Sequence, residues 1–390
     1  MRKHKSDRSI LLFTLILLVI GLVVIYTIGP MRANYMNAAY GTNTPENYFF
    51  QHQLISAGMA LVAFFVAFFV PYKWSRTLAR WILIGGLVMC LLLVVLAKAG
   101  SSMASCENGA CRWIKVGSGF SIQPVEVLKL GLTMYLAQIA AKCKAEGTLD
   151  KSNFWLPFIV MSILSLLFVV YFQKDLGSTV ILAVIILGIM LMSGVKMKYF
   201  IITCVVALIG GCVAIAIEPH RMERLLTFQN AEDADTYHID NALLAIGTGG
   251  LTGVGVGNTV QATGYLPESI NDSVFAVMGE AYGFLGLMLV VGCYAFLLFR
   301  VLKVYELRTN DEYGLVAIGV FGWVAVQVVM NICAMTGLIP LTGITLPLLS
   351  YGGTSMMFTA AALGMVMQLS CYNKRKNMDD KPMVSQRGIK

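Results

Sequence analysis

The chain has 390 residues, 57% of them hydrophobic and only 13% charged, with a net charge of +8. A soluble domain carries about 25% charged residues, so most side chains here do not face water, and an ordinary soluble enzyme is excluded. The apolar runs reach the ~20 residues that cross a bilayer, which predicts an all-α, polytopic integral membrane protein. Ten spans follow in chain order: 9–29, 53–71, 79–98, 124–141, 155–172, 176–194, 199–217, 273–299, 313–335 and 350–371. The first is too long for a signal-peptide core and lacks a small-residue cleavage site, so it is expected to be retained.

The polar connections give an orientation. With the N-terminus in the cytoplasm, 21 of the 29 Lys and Arg residues fall on the cytoplasmic side, as the positive-inside bias requires. Both termini are then inside. The basic balance is a topology signal with an affinity for anionic inner-leaflet lipid, and it gives no support to nucleic-acid binding. Residues 1–390 read as one transmembrane domain. It has a long extracytoplasmic loop at about 218–272, between spans seven and eight, and a short basic cytoplasmic tail at about 372–390.

Taken along the chain, the polar groups at the outer boundary are few. Most of the nine cysteines stand singly in apolar runs and are read as small buried hydrophobes. Cys106 and Cys111, in the polar "SCENGAC", can close a small disulfide if that loop faces an oxidising compartment. Span four opens with "QPVEVLKL", which places Glu126 and Lys129 three apart, a spacing that suits an ion pair. Span six opens at Asp175, either as a helix cap or as a site residue. The long loop carries Arg221 and Arg224, then an acid-rich stretch. Its glycine-rich middle is apolar enough to lie on the membrane or dip into it, and the glycines do not spell a nucleotide fingerprint. In "GYLPESINDSVFAVMGEAYGFLG", Glu268 and Asp272 lie at the mouth of span eight and Glu280 lies two turns inside. An acid there needs a partner or a wet cavity. In "GLIPLTGITLPLLSYGGTSM", between spans nine and ten, Pro340, Pro347, Gly352 and Gly353 break regular helix. One face therefore gathers acids and cations beside lipid, which suits an amphiphile with an anionic head.

In these motifs, and in "GLTGVGVGN", "CRWIKVGSGFSIQPVEVLKL" and "QKDLGST", the sequence resembles the SEDS family of bacterial shape, elongation, division and sporulation proteins, to which FtsW and RodA belong. The resemblance covers nearly the whole chain. It implies a peptidoglycan glycosyltransferase that polymerises lipid II at the outer face of the cytoplasmic membrane, beside a class B penicillin-binding protein that supplies the transpeptidase. It implies that Asp272 is the essential acid. Glu126, Lys129 and Arg112 match family motif positions, and Asp175, Glu280, Arg221, Glu268 and Ser350 join them as substrate-binding or site-organising residues. The chain departs from the family pattern at Lys174 (usually proline), Cys111 (commonly arginine) and Ala281 (usually acidic).

The chemistry of the residues is compatible with that implication. A lipid diphosphate leaves without needing a proton, so cations or a divalent metal such as Mg or Mn would stabilise it. The acceptor hydroxyl needs one general base, unlike a glycosidase with two flanking carboxylates. Two other classes compete: a flippase for lipid-linked precursors, which would show broken helices in paired inverted repeats, and a non-catalytic division scaffold, in which no single acid matters.

Overall fold

The computed structural model describes residues 5–107, 110–117, 120–218, 222, 234–261, 265–266 and 268–372, with the side chains of 107, 120 and 234–236 left aside. Arg221, Arg224 and the tail beyond residue 372 therefore lie outside the described residues. The helices are α1 (Arg8–Tyr40), α2 (Tyr48–Phe69), α3 (Tyr72–Lys98), α4 (Pro124–Ala145), α5 (Ser152–Leu167), α6 (Leu176–Ser193), α7 (Met197–Ile217), α8 (Ala234–Gly249), α9 (Val274–Glu306), α10 (Asp311–Met335) and α11 (Gly353–Ser370). A π-helical turn at Phe168–Phe172 continues α5.

Among the described residues, eight helices are long and apolar enough to cross a membrane. α4 and α11, both expected as spans, fall outside that set. The reason is where they sit: 14 of the 22 residues of α4 and 14 of the 18 of α11 are buried by other helices. A helix that meets protein rather than lipid has no need to be apolar all round. Close approaches lock both in place. A Cβ on Gly131 of α4 would stand 2.6 Å from the backbone of Leu83 in α3, and one on Gly364 of α11 would stand 2.2 Å from the Phe64 carbonyl in α2. α7 is the opposite case, with no buried residue at all.

Two features were absent from the sequence reading. The loop between α3 and α4 is a three-stranded antiparallel sheet in the order β1 (Ala104–Glu107), β2 (Ala110–Val116), β3 (Phe120–Ile122). Cys106 faces Cys111 across β1 and β2, and the two are joined by a disulfide with a Cα–Cα separation of 4.0 Å. The other feature is the ordered second half of the long loop. α8 ends in a glycine-rich crossing that docks on a break in α9, where Gly283 has φ +66° and ψ −168°. Backbone bonds close the seam: Val254 and Gly255 donate to the carbonyls of Glu280 and Ala281, and Phe284 and Leu285 donate to those of Gly250 and Leu251. Gly249 and Gly253 fit only because they lack a Cβ, which would stand 1.9 and 2.3 Å from the carbonyls of Gly279 and Ala281.

The two ends of the bundle carry different sets of charged groups. At one end the Asp7 N–H donates to Ser370 Oγ at 2.8 Å, so the first and last helices finish on the same side. Asp7 also caps α1 and pairs with Arg300. The ion pairs Arg76–Glu312 (3.3 Å), Lys144–Asp311 (3.1 Å) and Lys196–Asp150 (2.6 Å) belong to the connections expected on that side. Arg112, Lys174, Glu218 and Asp272 belong to the other end.

Candidate active site

The segment between α10 and α11 has no regular helix, so its carbonyls need partners that an apolar surround cannot supply. Side chains from three helices provide them. Gln53 of α2 donates to Leu349 O and Ser350 O at 3.4 and 3.3 Å, and the Tyr294 hydroxyl of α9 donates to Pro347 O at 2.5 Å. In α10, Gln327 donates to Thr345 O at 3.1 Å and Asn331 to Ile344 O at 2.7 Å. Ser350 turns inward and its Oγ accepts the Leu346 N–H at 2.8 Å. It shapes this turn. Leu348, at φ +67°, lies in the left-handed region that the turn imposes.

This segment joins the predicted residues. The Asn331 amide that holds Ile344 O also donates to Asp272 O at 2.7 Å, and the Tyr351 N–H donates to Ile270 O at 2.9 Å. Arg112 of β2 reaches the same segment from the other side, with Nη1 3.9 Å from where a Cβ on Gly343 would stand. Its Nη2 donates to Lys174 O at 3.1 Å, while its buried Nε has no hydrogen-bond partner and the side chain makes no ion pair among the described residues. Thr342 Oγ1 and Asn331 Oδ1 are likewise buried without partners. Unsatisfied polar atoms cost free energy when nothing fills the place, so this cluster is equipped for a polar ligand.

Asp272 lies in the turn before α9. Burial, then the neighbouring charge of Glu268, pushes its carboxyl up from the usual carboxylate range to about 7, against smaller opposing hydrogen bonds from its own and the Ser273 backbone and from the Ser273 hydroxyl. No cation pairs with it among the described residues. Glu268 is exposed, takes a hydrogen bond from Asn271, and sits at φ +48°. Its carbonyl accepts the N–H groups of Asn271 and Ser273 at 2.9 and 3.3 Å, so its backbone closes the turn.

The other expected residues have closed partnerships. Lys129 Nζ lies 2.7 Å from Glu126 Oε1, with both side chains almost wholly buried. Lys129 also stands 4.9 Å over the Trp323 ring, and Trp323 Nε1–H donates to Gln327. Glu126 Oε2 alone is left without a partner. Asp175 is the N-cap of α6: Oδ1 accepts the Ser178 N–H at 3.0 Å and Oδ2 accepts its hydroxyl at 2.7 Å. Lys174 does not turn to Asp175; it pairs with Glu218 at 2.7 Å. Glu280 is not paired with Lys129. Its Oε1 accepts the N–H groups of Val260 and Gln261 at 2.6 and 2.9 Å, which pins the glycine-rich crossing to α9.

The sequence reading missed Asn331, Gln327, Gln53, Trp323, Ser273 and His238. Gln327 and Asn331 carried a signal. Two amides four apart lie on one helical face, and in an otherwise apolar run they must bond something.

Against this geometry stand the known proteins the chain is similar to. Residues 7–375 match the profile of the family described as "Cell cycle protein", which unites FtsW, RodA and SpoVE. Stage V sporulation protein E of Bacillus subtilis is 32% identical over 96% of this chain and 99% of its own length. A probable peptidoglycan glycosyltransferase FtsW of Nitrosomonas europaea is 34% identical over 93% of this chain and 92% of its own. In fold, a chain of a peptidoglycan synthase complex that coordinates polymerization and crosslinking superposes with a TM-score of 0.73 at 21% identity, covering 94% of this chain and 97% of that one. Thermus thermophilus RodA does so with a TM-score of 0.66 at 24% identity, covering 95% and 98%. The chain belongs to the FtsW/RodA/SpoVE family.

Proposed function

We infer that this multi-pass membrane protein is a peptidoglycan glycosyltransferase that extends glycan strands from lipid II, with Asp272 as its general base. The observation that carries this reading is a half-buried carboxylate at the mouth of α9 that pairs with no cation among the described residues, its acidity moved to about 7. A base works best with a pKa near the working pH. The acceptor hydroxyl gives its proton to Asp272 while its oxygen bonds the anomeric carbon of the donor. The bond from that carbon to the diphosphate breaks, and its electron pair leaves on the diphosphate. A single displacement of this kind inverts the carbon.

The departing diphosphate needs positive charge, and Arg112 is suited to supply it because its guanidinium makes no ion pair among the described residues and its Nε is left without a partner there. The Glu126–Lys129 pair organises the helices below, and Glu280 and Ser350 hold the two loops that frame Asp272. A role for Arg221 on the substrate remains part of the reading, outside the described residues. Among those residues no three His, Cys, Asp or Glu side chains stand together to cage a metal. A Mg or Mn ion, when bound, would add positive charge at the departing diphosphate.

The end that carries Asp272 faces outward across the cytoplasmic membrane, because the opposite end gathers the termini and the Lys- and Arg-rich connections. A class B penicillin-binding protein is the proposed partner. The synthase complex whose chain shares this fold joins polymerization to crosslinking, which supports a transpeptidase alongside. The test is purified protein incubated with lipid II, with and without that partner, followed by electrophoresis of the glycan chains. A ladder is expected. Protein that makes no ladder under either condition but flips lipid II across vesicles would replace this reading with the transporter.

A further inference from the structure

Ser273 occupies the N-cap position of α9, where a serine normally bonds a backbone N–H of the first turn. It makes no such cap bond. Its hydroxyl instead stands 3.4 Å from Asp272 Oδ1 and 2.7 Å from Nε2 of His238, which comes from α8, 35 residues earlier in the chain. Both side chains are buried, Ser273 completely and His238 at 9% exposure. A hydroxyl has one proton to give. If it goes to His238, two lone pairs face each other at Asp272, an arrangement that holds only when Asp272 is protonated. If it goes to Asp272, His238 must donate its Nε2–H to Ser273. The ionised form of Asp272, the only one that acts as a base, selects the second arrangement.

We propose that His238 and Ser273 are positioning residues for Asp272: His238 donates to Ser273, and Ser273 thereby aims its proton at the Asp272 carboxylate and favours its ionised form. The proposal rests on Asp272 as the general base. Among the described residues, the other groups beside Asp272 oppose its ionised form or are neutral. Glu268, on the same turn, acts on Asp272 by repulsion. α10 brings the neutral Asn331 to the Asp272 backbone carbonyl. The seam of backbone bonds between the glycine-rich crossing and Gly283 explains why α8 can deliver His238 here. It ties the far end of α8 to α9.

Ser273→Ala deletes one oxygen and no volume that packing needs. Losing a hydrogen bond to a charged group raises the carboxyl's pKa by about one unit. Two measurements read this on full-length protein. Carbodiimide labelling of Asp272, followed by peptide mass spectrometry across pH, should shift upward by about one unit in Ser273→Ala. The acid limb of the polymerisation pH profile should shift by the same amount, about tenfold slower at pH 6 and nearly wild type at pH 9. His238→Leu should behave like Ser273→Ala, whereas His238→Gln, which keeps an N–H donor of similar reach, should stay close to wild type. A loss equal at every pH, or an unshifted labelling curve, overturns the proposal. Activity in Asp272→Asn would remove the base reading instead, and the labelling shift reports the carboxyl's acidity whatever its role.

Discussion

Glu126 and Asp272 are both acids placed where an apolar bundle leaves little water, and they are held in opposite ways. Glu126 is 3% exposed and has its cation, Lys129, at 2.7 Å on the same helix face, with Trp323 closing over the ammonium. Among the described residues Asp272 has no cation, a like charge nearby, and hydrogen bonds that only partly offset them. A buried charge that is paired is quiet, because its field is cancelled locally and removing either partner is costly. A buried charge left open stores that cost as altered acidity. The comparison suggests how to sort the two: on the proposed mechanism the sealed pair belongs to the architecture, and the open acid to the chemistry.

The most direct way to break the comparison is to neutralise each acid without changing its size. Asp272→Asn should lower polymerisation by ~10²–10⁴-fold, the usual cost of losing a general base, with membrane insertion and thermal unfolding in detergent unchanged. The same assignment fixes the pH dependence. Below about 7 the carboxyl is protonated and cannot accept, so wild-type rate should rise about tenfold per pH unit up to that point and then level off. Glu126→Gln and Lys129→Met should instead each destabilise the protein, by about 3–5 kcal/mol, because the remaining partner is left buried and uncompensated. The double variant should recover part of that loss. A Glu126→Gln protein as stable as wild type but inactive would erase the distinction and move Glu126 into the chemistry.

A smaller effect tests how the open acid is framed. Glu280 accepts two backbone N–H groups and so resembles neither extreme: part of its charge is met by the chain's own backbone. Glu280→Gln keeps the shape and one acceptor but loses the charge on those bonds. A cost of about 1–2 kcal/mol in stability is expected, with faster proteolysis between α8 and α9 as the readout and a modest fall in rate. Unchanged proteolysis would show that the glycine seam holds the crossing without it.

The helical plan was legible in the sequence because lipid-facing helices announce themselves by long apolar runs, and α7 is such a helix through its whole length. α4 and α11 were found as elements, yet their inner position was not visible, since burial by protein and burial by lipid demand similar side chains. Glu126 with Lys129 was readable because an i, i+3 pair is local. Asp272 was found through a motif, but its state was not, because its acidity depends on burial created by distant packing. His238 with Ser273, and Arg112 with Gly343, join segments far apart in the chain. Such contacts leave no periodicity, and only the fold brings them together. Glu280 shows the same limit: the sequence marked it as an acid needing a partner, and two of its partners are backbone N–H groups.

The smallest expected effect sharpens the comparison from the side of Arg112, the cation proposed to answer the charge that leaves as Asp272 takes its proton. The Cys106–Cys111 disulfide closes the hairpin of β1 and β2 next to Arg112. A loop this short gains about 2 kcal/mol from closure, and the gain is local to the sheet, whose far edge is still paired to β3. Reduction should therefore leave the helices and the Asp272 pH profile untouched. It should loosen the strand that aims Arg112 at the segment containing Gly343, so the expected change is a rise in the KM for lipid II of less than tenfold, with kcat nearly constant. Cys106→Ser with Cys111→Ser, assayed beside the reduced wild type, should reproduce that rise. A fall in kcat of a hundredfold would instead mean that the sheet positions the reacting groups themselves, and Arg112 would then stand beside Asp272 in the chemical step rather than at the diphosphate.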